Sequence, residues 1–316
     1  MGQPLRVENE TSVVTYLYDA LGRKISEVET SLDGTVTQSF GYNTGDLRTG
    51  MTLNPGGMSK TTSYTYDRLG RLTGVSQPGT SASYTYDTNG NRATLTVGNV
   101  TTSYTYNLAN WITEMSNMVG GNIHSRYRYN YLLDGNQADK FDVMKSEGVR
   151  YTYTAQGRLS EESYFKGVAI TGAVTYTYDG AGNRASMTDT RDGTSTTAYT
   201  YDANNRLLKT EQTYTSGIVQ MENYTYDANG NQLGRRNEML IPEGLAEGPI
   251  GLSFGDRYQI NSWNAAGQLV AVNNDLHSAT YTYNPSGLRH SKVANGVTSV
   301  HVWDGGDMVA ERIDYR

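Results

Sequence analysis

Along most of this chain apolar and polar residues alternate with period two, in short stretches broken by Gly, Asn and Asp. One copy of the pattern shows its logic. Tyr84 and Tyr86 lie two apart and so project from one face of a strand, while Thr85 and Asp87 point to the other. After a break, Ala93, Leu95 and Val97 alternate with Arg92, Thr94 and Thr96. Alternation on both arms predicts two strands with one packed face. Between them Asp87-Thr88-Asn89-Gly90-Asn91 supplies turn chemistry: Gly90 accepts a positive φ, and Asp or Asn bonds back to the backbone. The stretch therefore predicts a β-hairpin.

The hairpin recurs from end to end. Its aromatic pair and acid appear as Tyr64, Tyr66 and Asp67 with Gly70; Tyr84, Tyr86 and Asp87 with Gly90; Tyr176, Tyr178 and Asp179 with Gly182; and Tyr224, Tyr226 and Asp227 with Gly230. Tyr199-Thr200-Tyr201-Asp202 is a further copy, and Phe40-Gly41-Tyr42-Asn43, Tyr127-Arg128-Tyr129-Asn130, Tyr151-Thr152-Tyr153-Thr154 and Asn261-Ser262-Trp263-Asn264 are looser ones. Taking the first aromatic place of each copy gives positions 16, 40, 64, 84, 104, 127, 151, 176, 199, 224, 261, 281 and 301, which is 13 units. Steps of 20 to 25 residues fit two strands and two turns. The single step of 37 contains Pro242 and Pro249 among several glycines, so 239–256 is expected to be an inserted loop. Residues 1–316 are read as one continuous array, its Tyr pairs stacking as ladders across adjacent hairpins at about 0.2–1 kcal/mol for each cross-strand pair.

Composition sharpens this. Tyr supplies 26 residues against 4 Phe and 3 Trp, which suits rings that pack on one side while the hydroxyl reaches water or a partner. Two strands per unit at about 4.8 Å spacing make a sheet on the order of 125 Å wide, which must curl. Closed into one ring it would be roughly 40 Å across, too wide for side chains to fill. The expected fold is all-β: tandem hairpins in a wide, curved or spiral sheet around space.

Charge and chemistry narrow the function. The net charge is -6 with Lys and Arg scattered singly, so no basic stripe points to nucleic acid. No apolar run approaches the roughly 20 residues of a membrane-spanning helix. With no cysteine there is no disulfide or thiolate site. His124, His277, His290 and His301 fall in different units at no ligand-like spacing, and are read as surface or wall residues. Asp87-Xaa-Asn89-Xaa-Asn91 imitates the start of a calcium loop, but Arg92 stands sixth, where such a loop needs Gly. No nucleophile elbow is present. Neither catalysis, a metal nor a cofactor is expected.

The unit Tyr224-Thr225-Tyr226-Asp227-Ala228-Asn229-Gly230-Asn231 resembles the YD repeat of the Rhs proteins, and the likeness runs nearly the whole length of the chain. Similar repeats occur in bacterial Rhs polymorphic toxins, in the C component of Tc toxins, in wall-associated toxin proteins and in animal teneurins. The resemblance implies a spiral of hairpins forming a hollow shell, secreted or at the cell surface, which in the toxin members encloses a C-terminal toxic domain. His301-Val302-Trp303-Asp304-Gly305 is similar to copies that precede the C-terminal core segment of such proteins, and no Asp-Pro dipeptide of that core is present. The expectation is a non-enzymatic shell segment of a longer polypeptide, whose partners are the core and toxic cargo of the same chain. The alternative is an adhesive or carbohydrate-binding module recognising a cell-surface glycan through the 240–256 region.

Overall fold

The computed structural model describes residues 2–55, 57, 59–242 and 257–315, and these are all β. The strands run in order β1 (Arg6–Glu8), β2 (Ser12–Tyr18), β3 (Lys24–Ser31), β4 (Gly34–Tyr42), β5 (Arg48–Pro55), β6 (Lys60–Tyr66), β7 (Leu72–Gln77), β8 (Thr80–Tyr86), β9 (Arg92–Val97) and β10 (Val100–Tyr106). They continue as β11 (Ile112–Val119), β12 (Asn122–Tyr131), β13 (Gln137–Asp142), β14 (Glu147–Tyr153), β15 (Leu159–Lys166), β16 (Ala169–Tyr178), β17 (Arg184–Asp189), β18 (Ser195–Tyr201) and β19 (Leu207–Tyr214). The remainder are β20 (Val219–Tyr226), β21 (Gln232–Leu240), β22 (Arg257–Trp263), β23 (Leu269–Asn274), β24 (Ser278–Tyr283), β25 (Arg289–Ala294), β26 (Val297–Asp304) and β27 (Asp307–Tyr315). Each even-numbered strand from β2 onward carries one of the aromatic places read from the repeat. Sequence neighbours pair antiparallel, as in β6 with β7, β7 with β8 and β8 with β9. Among the described residues no helix is long and apolar enough to cross a membrane.

The contacts group into two compact units. Unit 1 comprises Met1–Trp111, Ser116–His124 and Ala279–Arg316, and unit 2 comprises Ile112–Met115 and Ser125–Ser278. Burial follows the period of two. In β8 the burial alternates so that Tyr84 and Tyr86 are half-buried and Thr85 between them is exposed. Among the described residues buried apolar side chains are few, with Val14, Phe40, Met51, Leu53, Val300 and Val302 in unit 1 and Val174 in unit 2. A chain whose apolar faces are rings with polar tips builds a thin wall rather than a deep oily core.

The insertion departs from expectation at its start. Met239 and Leu240 continue β21, held by pairing of Gln220 with Met239 and Val219 with Leu240. Residues 243–256 lie outside the described residues.

Candidate functional site

The feature built many times over is the junction between one hairpin and the next. At the second aromatic of a unit the register slips, although in the copy read as Tyr127 to Asn130 it slips at Tyr131: Thr65 pairs with Gly74 but Tyr66 pairs with Leu72, so Leu72 and Thr73 together oppose one residue. Such a bulge interrupts the ladder and frees a carbonyl that must find another donor. The donor is the second aromatic of the following unit. Tyr86 donates its hydroxyl to the Leu72 carbonyl at 2.7 Å. Likewise Tyr66 reaches Arg48, Tyr106 reaches Arg92 and Tyr153 reaches Gln137, at 2.7–2.8 Å. Tyr178 donates to Leu159 at 2.7 Å, Tyr201 to Arg184 at 3.0 Å and Tyr226 to Leu207 at 2.8 Å. Where the aromatic is Trp, the indole does the same: Trp263 Nε1 donates to Gln232 and Trp303 Nε1 to Arg289, at 2.8 and 2.7 Å. The acceptor is the bulge residue that pairs with the preceding unit's second aromatic, or with Tyr131 in the case of Gln137. Phe would supply the ring without the donor, which accounts for Tyr or Trp at this second place.

The turn is a second tie. Asp67 Oδ1 accepts the backbone N–H groups of Leu69 and Arg71, at 2.9 and 3.0 Å, and Oδ2 takes Arg71 Nε at 2.7 Å. Asp227 does the same with Asn231, through its N–H and its side-chain amide, both at 2.8 Å. Asp87 and Asp179 repeat the pattern with Asn91 and Asn183. These bonds hold the carboxyls below their ordinary range: at Asp179 and Asp227 the Asn side-chain amide is the largest cause, while at Asp67 and Asp87 burial opposes the shift and the bonds outweigh it. The residue after the turn glycine then reaches the next turn. Asn91 Nδ2 donates to Asn110 Oδ1 and Asn183 Nδ2 to Asn205 Oδ1, both at 2.8 Å. Arg206 Nη1 donates to the Asp227 carbonyl at 3.1 Å and lays its guanidinium over the Tyr226 ring. Arg71 covers Tyr86 in the same way, 4.5 Å from the ring centroid.

Every turn needs one left-handed residue. Gly70, Gly90, Gly182 and Gly230 hold φ between 77° and 94°, and Asp46, Asn110 and Asn205 fill the same place at 60–61°. No heavy atom lies within 4 Å of a Cβ built on Gly230, and at Gly90 only Arg71 Nη1 comes near, at 3.8 Å. Val at either position therefore meets backbone strain alone, about 1–2 kcal/mol, whereas Gly230→Asn should be tolerated. Thermal unfolding checks this; unchanged midpoints in both Val variants would refute the turn assignment.

The aromatic ladder differs from the sequence expectation. A return strand stands between successive aromatic strands, so Tyr84 pairs with Leu95 and Tyr64 with Val75. Many of the rings face cations. Arg92 lies 5.1 Å from Tyr84, and Arg184 sits between Tyr176 and Tyr199 at 4.5 and 5.7 Å. Each such contact contributes about 0.5–1 kcal/mol. At one place a carboxylate joins them. Glu162 accepts from Tyr164 at 2.5 Å and from Tyr176 at 2.7 Å. Burial first, and Glu162 second, push the Tyr164 hydroxyl up to about 12 and raise that of Tyr176 as well.

In unit 1 residues far apart in sequence meet. Gln38 Nε2 donates to the Trp303 carbonyl at 2.7 Å, Asn9 Nδ2 to the Tyr283 carbonyl at 2.8 Å, and Arg48 pairs with Asp304. His290 and His301 are buried here, whereas His124 and His277 are exposed. Sequence spacing gave no sign of this, because the partners of His290 lie 261 and 257 residues away.

Residues on either side of the 240–256 region proposed for glycan recognition line two open hollows in unit 2. One, of about 270 Å³, is lined by Arg235, Asn237, Arg257 and Tyr258 among others; the second, of about 290 Å³, shares Asn237 and Arg257. Asn237 Oδ1 is buried with no hydrogen-bond partner.

Comparison with known proteins places these ties in a family. The chain aligns with the Tc holotoxin pore of Photorhabdus luminescens, in a TccC3 variant, at 14% identity and a TM-score of 0.53, over 99% of this chain and 21% of that one. It thus spans about a fifth of that protein's length, and at this identity the likeness is one of fold. A porin-like protein from Bacteroides uniformis aligns over 88% of this chain and 92% of that one at 12% identity, with a TM-score of only 0.25. Curated proteins gave no match. The family model described as Teneurin YD-shell matches residues 37–196, just over half the chain and a span that includes the turns and phenol ties of Tyr66 through Tyr178. A repeat in which each hairpin caps the bulge of the one before it, with that match across it, makes this chain a member of the teneurin YD-shell family, and so a shell-like structural segment of the Rhs/YD-repeat kind.

Proposed function

We propose that residues 1–316 form one stretch of wall in a larger, bacterial, secreted or cell-surface Rhs/YD-repeat protein, and that the wall encloses a toxic polypeptide from the C-terminal part of the same chain. Its work is containment: it separates the enclosed segment from solvent and proteases until delivery, with no chemistry of its own. The observation that supports this reading best is the phenol-to-carbonyl tie, which leaves each hairpin complete only beside its neighbour and so favours an extended wall over a compact binding domain. The Tyr pairs, turn acids and turn glycines are then the functional residues.

An adhesive role is the second reading, favoured by the hollows beside Arg257 and the unpartnered Asn237 acceptor, which suit a sugar hydroxyl. Native mass spectrometry of the full natural product separates the two. A cleaved C-terminal fragment that stays bound until denaturation is the expected result. A product that carries no enclosed fragment but binds on a glycan array would overturn containment in favour of adhesion.

A further inference from the structure

His290 lies in β25 and is only 4% exposed, yet both of its ring nitrogens face carboxylates. Nδ1 is 2.9 Å from Glu29 Oε1 on β3, and Nε2 is 3.2 Å from Asp33 Oδ2 in the turn after it. A neutral imidazole carries one N–H and can satisfy one of these oxygens, leaving a lone pair against the other. Only the imidazolium donates to both. We propose that His290 is a proton-operated latch: doubly protonated, it fastens the C-terminal strands β25–β27 of unit 1 to β3 and its turn, and loss of its proton loosens them.

The surroundings are arranged around that charge. Ser12 on β2 donates to Glu29 Oε1 at 2.8 Å, fixing the carboxylate that meets Nδ1. Arg312 on β27 donates to the Asp33 carbonyl at 2.9 Å and is itself paired with Asp314. His301 on β26 lies 3.5 Å from Glu311 on β27, and Arg48 on β5 pairs with Asp304 at the end of β26. Arg48 and Arg312 are thus matched by acids of their own and Arg289 lies over the Tyr281 ring, so the imidazolium is the group that answers Glu29 and Asp33. Further hydrogen bonds cross this contact, among them Gln38 to Trp303 and Asn9 to Tyr283.

The direction of the pH effect follows. Burial disfavours the charged ring, but the hydrogen bond and charge of Glu29, and then those of Asp33, outweigh it and raise the pKa above its ordinary value. A group held above its unfolded pKa contributes in full below that value, near 6.5 for His, and its contribution is lost as pH rises through the folded pKa. The latch is therefore closed at mildly acid pH and opens on the alkaline side. The ordinary pKa of a phenol, near 10, lies above this window.

Hydrogen exchange of the intact chain, corrected for the intrinsic pH dependence of amides, reads the latch directly. Between pH 6 and 9 the amides of 289–302 should open faster, by about tenfold for each unit by which the pKa is raised. In Asp33→Asn the midpoint should move to lower pH, because one partner of the cation is gone, and in His290→Gln the pH dependence of this segment should vanish. Should His290→Gln not fold, the wild-type and Asp33→Asn profiles still decide. Exchange that is flat with pH in the wild type, or a midpoint unmoved in Asp33→Asn, overturns the latch. It is a property of unit 1 alone and stands whether or not the larger protein holds a cargo.

Discussion

Removing three phenol hydroxyls, Tyr153→Phe, Tyr178→Phe and Tyr226→Phe together, should lower the stability of unit 2 by about 3 kcal/mol, roughly 1 kcal/mol for each lost bond. The rings and their packing remain in this variant. What disappears is the donor to the carbonyls of Gln137, Leu159 and Leu207, each 2.7–2.8 Å from its hydroxyl. Each of these carbonyls sits at a bulge and is half-shielded from water, so losing its partner costs more than losing a surface bond. Successive aromatic strands are about 10 Å apart by strand spacing, so the three effects should nearly add. Tyr199→Phe is the control, since its hydroxyl meets Met187 Sδ at 3.8 Å and the Arg184 side chain rather than a bulge carbonyl. Urea unfolding followed by circular dichroism measures all of these. If the triple variant matches the control, the phenol tie is not what joins the hairpins.

Gly148→Val should destabilise unit 2 by a similar amount, about 3 kcal/mol, at the upper end of the usual cost of overpacking. Gly148 in β14 stands opposite Phe141 on one side and Phe165 on the other. Those two rings stack over it, 6.0 Å apart and 7° from parallel. Any Cβ there would overlap the Phe165 ring and lie 2.8 Å from the Lys140 carbonyl oxygen. The ring can turn aside, but the carbonyl is fixed in the β13–β14 ladder. A Phe165→Leu change alongside should therefore restore only part of the loss, and full restoration in thermal melts would show that the backbone approach does not matter.

Much of the wall was legible before the structure. Period two in Tyr84-Thr85-Tyr86, the turn at Asp87 to Asn91 and the recurrence of both are local signals, and local signals survive in sequence. The junction was not legible, for a physical reason. The acceptor of each Tyr hydroxyl is a backbone carbonyl, and bulge residues as different as Leu72, Arg92, Gln137 and Leu159 serve equally well. The excess of Tyr over Phe was the trace it left. The recurring Asn or Arg after the turn glycine was a second trace, and its role in reaching the next turn, as in Asn183 to Asn205, could have been sought there. The expected ring ladder does not form, because a return strand separates the aromatic strands of successive hairpins. Gly148 announced itself only as a glycine inside a strand, with its two Phe partners on other strands, and the Glu29–His290–Asp33 cluster joins residues that no local pattern connects.

The phenol tie also has a sense. The bulge belongs to one hairpin, and the hydroxyl that caps it always comes from the hairpin that follows in the chain. Each hairpin therefore presents an open acceptor on its C-terminal side and a donor on its N-terminal side. The two edges of a unit are not interchangeable and the array is polar, as bricks with a tongue on one side and a groove on the other.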